Sequence, residues 1–218
     1  MSVRAEHAYL QGYLEATLSA EQRARPLLIS FTQWDFAVAA VAEVAMTLHT
    51  MGSTPSIALW SAKTPLRDVG WQSHHAIAGT FRSPTIDMRV QQALAAAGLP
   101  SSSFIQPQSW KSPAAPLPTI DATYRTALRK LTYRGAAMGR GILQVPPTAD
   151  VPVTDDYSWP RRYVHKAALS YAYAFDQTMA AIDRTNATSV FAYNGRFLHD
   201  SAVAAAAEQR GLPVLSYD

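Results

Sequence analysis

Leu27-Leu28-Ile29-Ser30-Phe31, followed by Thr32-Gln33-Trp34-Asp35 and an Ala/Val-rich stretch over 36–51, decides how this chain folds. The first five residues form an apolar run of strand length directly behind Pro26, the pattern of a strand covered on both faces. Thr32-Gln33-Trp34-Asp35 is a turn. Residues 36–51 have the length and composition of a helix, with Gly52 as its C-terminal cap. A second short apolar run at 56–60 supplies another strand. Strand, tight turn, helix and strand make a βαβ unit, whose strands are parallel and whose crossover is right-handed.

Toward the N-terminus, Ala8, Leu10, Tyr13, Leu14 and Leu18 recur at helical spacing and predict a helix over 7–24, stopped by Pro26. Toward the C-terminus, an irregular stretch through Thr64-Pro65-Leu66-Arg67-Asp68-Val69-Gly70-Trp71 and His74-His75 leads to a helix over about 86–97, capped by Gly98. Residues 103–106 read as a short third strand, and Pro107, Pro113, Pro116 and Pro118 predict an extended loop, the expected internal linker. A helix opening at Ile120-Asp121 carries Tyr124, Leu128 and Leu131. It meets Tyr133-Arg134-Gly135 and Gly139-Arg140-Gly141, where glycines predict a bend or loop.

Beyond a second loop containing Pro146, Pro147 and Pro152, Trp159-Pro160 begins a long helix to about residue 184. A strand at 189–193, a turn at Asn194-Gly195-Arg196, a helix at 198–209 stopped by Gly211, and a strand at 213–217 form a second βαβ unit. The sequence thus reads as one α/β domain over 1–218, doubly wound around a mostly parallel, Rossmann-like sheet with extra helices. The Pro-rich loop lies at about 107–118 and a long helical insertion at about 120–184.

Of the 218 residues, 48% are hydrophobic and 16% charged, the composition of a chain that buries a core. The formal net charge is +3, with Lys and Arg scattered. The densest basic group, Arg125, Arg129, Lys130, Arg134 and Arg140, reads either as a solvated helix face or as a site for an anionic sugar or phosphate; no nucleic-acid partner is expected. Absence of cysteine excludes disulfides and thiol chemistry. No apolar stretch reaches about 18 residues, and the start Met1-Ser2-Val3-Arg4 lacks a signal-type apolar core, so a cytoplasmic chain without a transmembrane segment is expected.

In an open parallel sheet, ligands collect at the carboxyl ends of the strands, where helix N-termini present free N–H groups. Two turns qualify: Gln33-Trp34-Asp35 and Asn194-Gly195-Arg196. In the second, Asn accepts or donates, Gly permits close backbone approach, and Arg grips a carboxylate or phosphate in two-pronged fashion. The alternative is that Asn and Gly merely build the turn while Arg points into water. Asp35 either caps its helix or acts as a base at the cleft; Asp68, two residues before a Gly, either fixes a turn or serves as a base. The adjacent His74 and His75 cannot both face one way on a strand and have no third ligand at suitable spacing. A metal site is therefore not expected, and a single general base stays open. No Gly-x-Gly-x-x-Gly, Walker loop or Gly-x-Ser-x-Gly elbow occurs, and no cofactor is expected.

Tyr133-Arg134-Gly135 with Gly139, the run Val190-Phe191-Ala192-Tyr193-Asn194-Gly195-Arg196, the alanine-rich helix ending in Gly211-Leu212-Pro213-Val214, and Thr64-Pro65-Leu66 leading to Asp68-Val69-Gly70-Trp71 occur in an order spanning most of the chain. In that order they resemble the N-terminal half of bacterial two-domain GT-B-type glycosyltransferases associated with capsule and other surface polysaccharides. The resemblance implies metal-independent transfer of a sugar from a nucleotide-sugar donor to a glycan acceptor, with the acceptor mainly on this half. It further implies a base among Asp35, Asp68 and His74, and substrate contacts from Gln33, Trp34, Arg134, Asn194, Gly195 and Arg196. The sequence departs from the family pattern in lacking the donor-binding half, so a separate donor-binding domain or chain is the expected partner. Two other classes stay open: a stand-alone nucleotide- or sugar-phosphate-binding α/β protein, and a non-catalytic scaffold domain.

Overall fold

The computed structural model describes residues 3–31, 35–60, 91–144, 157–193 and 198–217. Its centre is a sheet of four strands, β1 (Pro26–Ser30), β2 (Ser56–Leu59), β3 (Ser189–Tyr193) and β4 (Val214–Tyr217). They lie in the order β2-β1-β3-β4, and every neighbouring pair is parallel. Phe104 adds a single parallel bridge to Ile57 on the outer side of β2. The expected strand at 103–106 is thus reduced to one residue, because Ser101–Ser103 is wound into a 3-10 turn immediately before it.

The described helices are α1 (Val3–Thr17), α2 (Ala20–Ala24), α3 (Asp35–Thr50), α4 (Arg125–Leu128), α5 (Met138–Gln144), α6 (Arg161–Thr185) and α7 (Leu198–Gln209), together with a helical stretch at 91–96. The side-chain alternation of β1 separates two hydrophobic layers. Leu27 and Ile29 face a cluster containing Ala168, Ala172 and Phe175 of α6 and Ala202, Val203 and Ala206 of α7. Leu28 faces the opposite layer, with Leu14 of α1 and Val41, Ala45 and Leu48 of α3. All five residues of β1 are buried, as a central parallel strand covered by helices on both sides requires. The domain is therefore α/β and Rossmann-like.

Several local departures from the sequence reading have clear causes. The N-terminal helix breaks after Thr17, because Ser19 starts a new helix with a capping box: its hydroxyl accepts from Gln22 N at 3.2 Å and its own N–H donates to Gln22 Oε1 at 2.9 Å. The helix expected from residue 120 is the single turn α4, so 120–184 is not one helical run. Arg134 (φ 51) and Gly135 (φ +84) form a two-residue turn of the I′ kind that closes a bridge between Tyr133 and Ala136.

Where glycines predicted a bend, α5 is helical and contains both Gly139 and Gly141. Packing overrides propensity there: a Cβ on Gly139 would stand 1.8 Å from the Leu128 carbonyl oxygen. The Pro-rich segment is irregular but firmly docked. Gln177 of α6 accepts from Gln108 N at 2.8 Å and donates to Gln108 O at 3.0 Å. At the far end of α6, Asn186 adopts the left-handed cap (φ 48), and Thr188 then ties the start of β3 to the residue preceding β1, Arg25, whose N–H donates to its hydroxyl at 3.0 Å.

Candidate functional site

The chain leaves β1 toward β2 on one side and, after α6, enters β3 on the other. β1 and β3 are thus the pair at which the winding reverses, with Ile29 beside Ala192 in register. In open α/β sheets the crevice beyond the carboxyl ends of such a pair is the usual ligand site. α3 starts at Asp35 shortly after β1, and α7 starts at Leu198 shortly after β3, so two helix N-termini open at this rim from opposite faces of the sheet.

An aromatic wall stands at the rim. Phe31, the first residue after β1, stacks on the imidazole of His199 in the first turn of α7, with ring centroids 5.4 Å apart and planes 26° apart. The same ring meets Trp60, which follows β2, edge-on at 5.8 Å, and Tyr173 of α6 edge-on at 6.2 Å. Trp110 from the Pro-rich segment continues the wall with an edge contact to Tyr173 at 5.2 Å. Both indole N–H groups are used: Trp60 donates to Ile105 O at 3.0 Å and Trp110 to Asp176 Oδ2 at 3.1 Å. Burial pushes the Tyr173 hydroxyl up to about 12. His199 and Asp200 are both buried in the first turn of α7, each engaged by neighbouring groups. An acidic residue there also suits the positive end of the helix dipole.

Behind this wall a single carboxylate organises three segments. Asp176, in the middle of α6, accepts from the Tyr133 hydroxyl at 2.9 and 3.0 Å, from Ala114 N at 2.8 Å and from Trp110 Nε1, with Arg134 Nη1 at 3.4 Å. Desolvation first, and the Asp176 hydrogen bond and charge further, push the Tyr133 hydroxyl up to about 12, while backbone N–H contacts from Ala115 and Ala114 pull the other way. Tyr133 therefore remains a neutral donor to the carboxylate. This network fixes the height of Trp110 and, through it, of Tyr173.

Among the residues singled out from sequence, Asp35 is the first residue of α3, just inside the helix rather than before it. Gln33, Trp34, Asp68, His74, Asn194, Gly195 and Arg196 lie outside the described residues. The strands leading into the first two and the last three of these, β1 and β3, are immediate neighbours. Arg134 is placed elsewhere: it pairs with Asp176, its guanidinium lies 5.6 Å from the Phe175 ring centre, and its carbonyl accepts from Gln209 at the far end of α7. Sequence reasoning missed His199, Asp200 and Asp176. The first two follow β3 by a few residues at the start of a recognised helix, a signal that was available; Asp176 sits mid-helix and carries no local mark.

Among the described residues there is no group of three or more His, Cys, Asp or Glu able to hold a metal ion, and no helix long and apolar enough to cross a membrane. No family model, curated protein or solved structure matches the chain.

Proposed function

We propose that the chain is the acceptor-side, GT-B-like domain of a cytoplasmic glycosyltransferase that moves a sugar from a nucleotide-sugar donor to a glycan during surface-polysaccharide assembly. The donor would be held by a further domain or a separate chain. The observation that carries the reading is the adjacency of β1 and β3 at the switch point: the Gln33-Trp34-Asp35 and Asn194-Gly195-Arg196 segments leave the sheet from neighbouring strands. Phe31, Trp60 and Tyr173 are buried beneath the rim and give the crevice a rigid aromatic base, and Asp35 and His199, in the first turns of the two helices that open there, are candidates for the group that deprotonates an acceptor hydroxyl. Asp68 and His74 remain further candidates for that base.

Calorimetric titration of the chain with UDP- and GDP-sugars, and separately with neutral oligosaccharides, tests the reading. Heat from oligosaccharides and none from nucleotide sugars is the expected result. The two helix N-termini at the rim favour one competing reading, a stand-alone nucleotide- or sugar-phosphate-binding protein. Saturable binding of the nucleotide sugars would establish that reading instead.

A further inference from the structure

An open groove of about 400 Å³ runs between α5 and the outer side of α7, within the size range of small-ligand sites. The two helices approach closely because Gly141 lacks a side chain: a Cβ there would lie 2.3 Å from Ser201 Oγ and 3.1 Å from the Tyr171 ring. Beside this contact, Ala204 and Ala205 leave the space between the helices unfilled.

Small residues alone make no site, but the floor of this groove is Tyr171 of α6. The residue is only 1% exposed, and its hydroxyl makes no hydrogen bond to any described residue. The hydroxyl itself is not fully enclosed and borders the open groove, where water, or a ligand that displaces it, supplies the partner. Burial above all, and then the negative charge of Glu208, push the Tyr171 hydroxyl up, so it stays neutral and both donates and accepts.

The walls add Arg140, which only donates, and Glu208, which only accepts, with the amides of Gln144 and Gln209 doing both. One cation and one anion offset each other, so the groove offers nothing to a phosphate that Glu208 does not oppose. Alternating donors and acceptors of no net charge fit an uncharged, hydroxyl-rich ligand. The groove extends from Ser201 in the first turn of α7 to Gln209 at its end, about 12 Å along the helix at 1.5 Å per residue. An extended ligand therefore has one end beside the crevice at the start of α7.

We propose that this groove is a saccharide subsite that holds the acceptor glycan along α7, with Tyr171 beneath it and Arg140 and Glu208 at its sides. Its naming as an acceptor subsite rests on the glycosyltransferase reading; saccharide binding itself does not. The test is amide-resolved NMR titration of the chain with neutral trisaccharides of glucose, galactose and mannose, and with inorganic phosphate as the contrasting probe. At least one trisaccharide shifts the amides of Gly135, Ala204 and Gln209, and phosphate shifts none of them. Tyr171→Phe and Glu208→Gln, the first preserving ring volume and the second at an exposed position, each weaken that binding roughly tenfold. No shift at these amides with any of the three sugars, a shift with phosphate, or unchanged affinity in both variants overturns the subsite. Shifts confined to Ser30, Phe31 and His199 would sink the groove while leaving the crevice reading intact. Shifts confined to the groove would uphold the subsite and count against the crevice.

Discussion

Phe31 and His199 lie ring on ring, 5.4 Å between centroids, although 168 positions (199 − 31) separate them in the chain. One follows β1 and the other opens α7, so the stack joins the two chain segments that flank the switch point. Phe31 also touches Trp60 and Tyr173, and its removal would empty the middle of the aromatic wall. Phe31→Ala is expected to lower stability by about 3–5 kcal/mol, and Phe31→Leu by less than about 1.5 kcal/mol. Urea unfolding of the two variants checks the difference.

Asp176 and Arg134 form an ion pair whose two ends are not equivalent. The carboxylate is buried and accepts from groups that can only donate to it, whereas the guanidinium is about a third exposed, at 35%. Asp176→Asn would turn an NH2 group toward one of those donors and is expected to cost about 3 kcal/mol. Arg134→Ala removes only a screened, long contact and is expected to cost about 1 kcal/mol or less. Equal losses in denaturant melts would show that the charge pair, not the hydrogen-bonded carboxylate, holds the Pro-rich segment.

Alkaline pH is expected to loosen the same network. The Tyr133 hydroxyl is raised from 10.0 to about 12, so the folded state holds a proton that the unfolded chain releases. Its contribution is fully present below pH 10, falls as pH rises above that value, and is lost as pH passes through about 12. Tyr133→Phe should be less stable than the parent at neutral pH yet show a shallower decline between pH 10 and 12. Tm measured across that range reads both effects, and parallel declines would contradict the assignment.

Gly139 and Gly135 make opposite demands on substitution. At Gly139 a Cβ would collide with the Leu128 carbonyl oxygen, whereas at Gly135 the nearest atom is 3.8 Å away and the obstacle is the positive φ. Gly139→Ala is expected to cost about 3 kcal/mol or more, through displacement of α5. Gly135→Ala is expected to cost about 1 kcal/mol, from left-handed backbone alone. Reversal of this order in thermal melts would mean that α5 accommodates the methyl group by moving freely.

The regular elements around the switch point were legible because each had a strong local signal. The apolar run at Leu27-Leu28-Ile29 announced a doubly covered strand, and Gly52 and Gly211 both adopt positive φ at the ends of the helices they were expected to stop. Ser19 and Gln22 carried a capping-box signature that divides the first helix, a local signal outweighed by the longer apolar periodicity. The glycines of α5 misled because propensity describes an isolated helix, while Gly139 and Gly141 serve contacts to Leu128, Ser201 and Tyr171 that exist only after folding. Asp176 was invisible for the same reason: its partners lie 42 to 66 residues away in sequence. The parallel pairing of β1 with β3, the strands that precede Gln33-Trp34-Asp35 and Asn194-Gly195-Arg196 in the chain, depends on the long crossover through α6 and could be expected only from the fold class.

The most direct test of the switch-point site is amide-resolved NMR titration of the parent and of Arg196→Ala with the three neutral trisaccharides. The parent is expected to show saturable shifts at Ser30, Phe31 and His199, and the variant to lose them while its other amides stay in place. Equal shifts in both proteins, or none at these three amides in the parent, would contradict an acceptor site at the ends of β1 and β3.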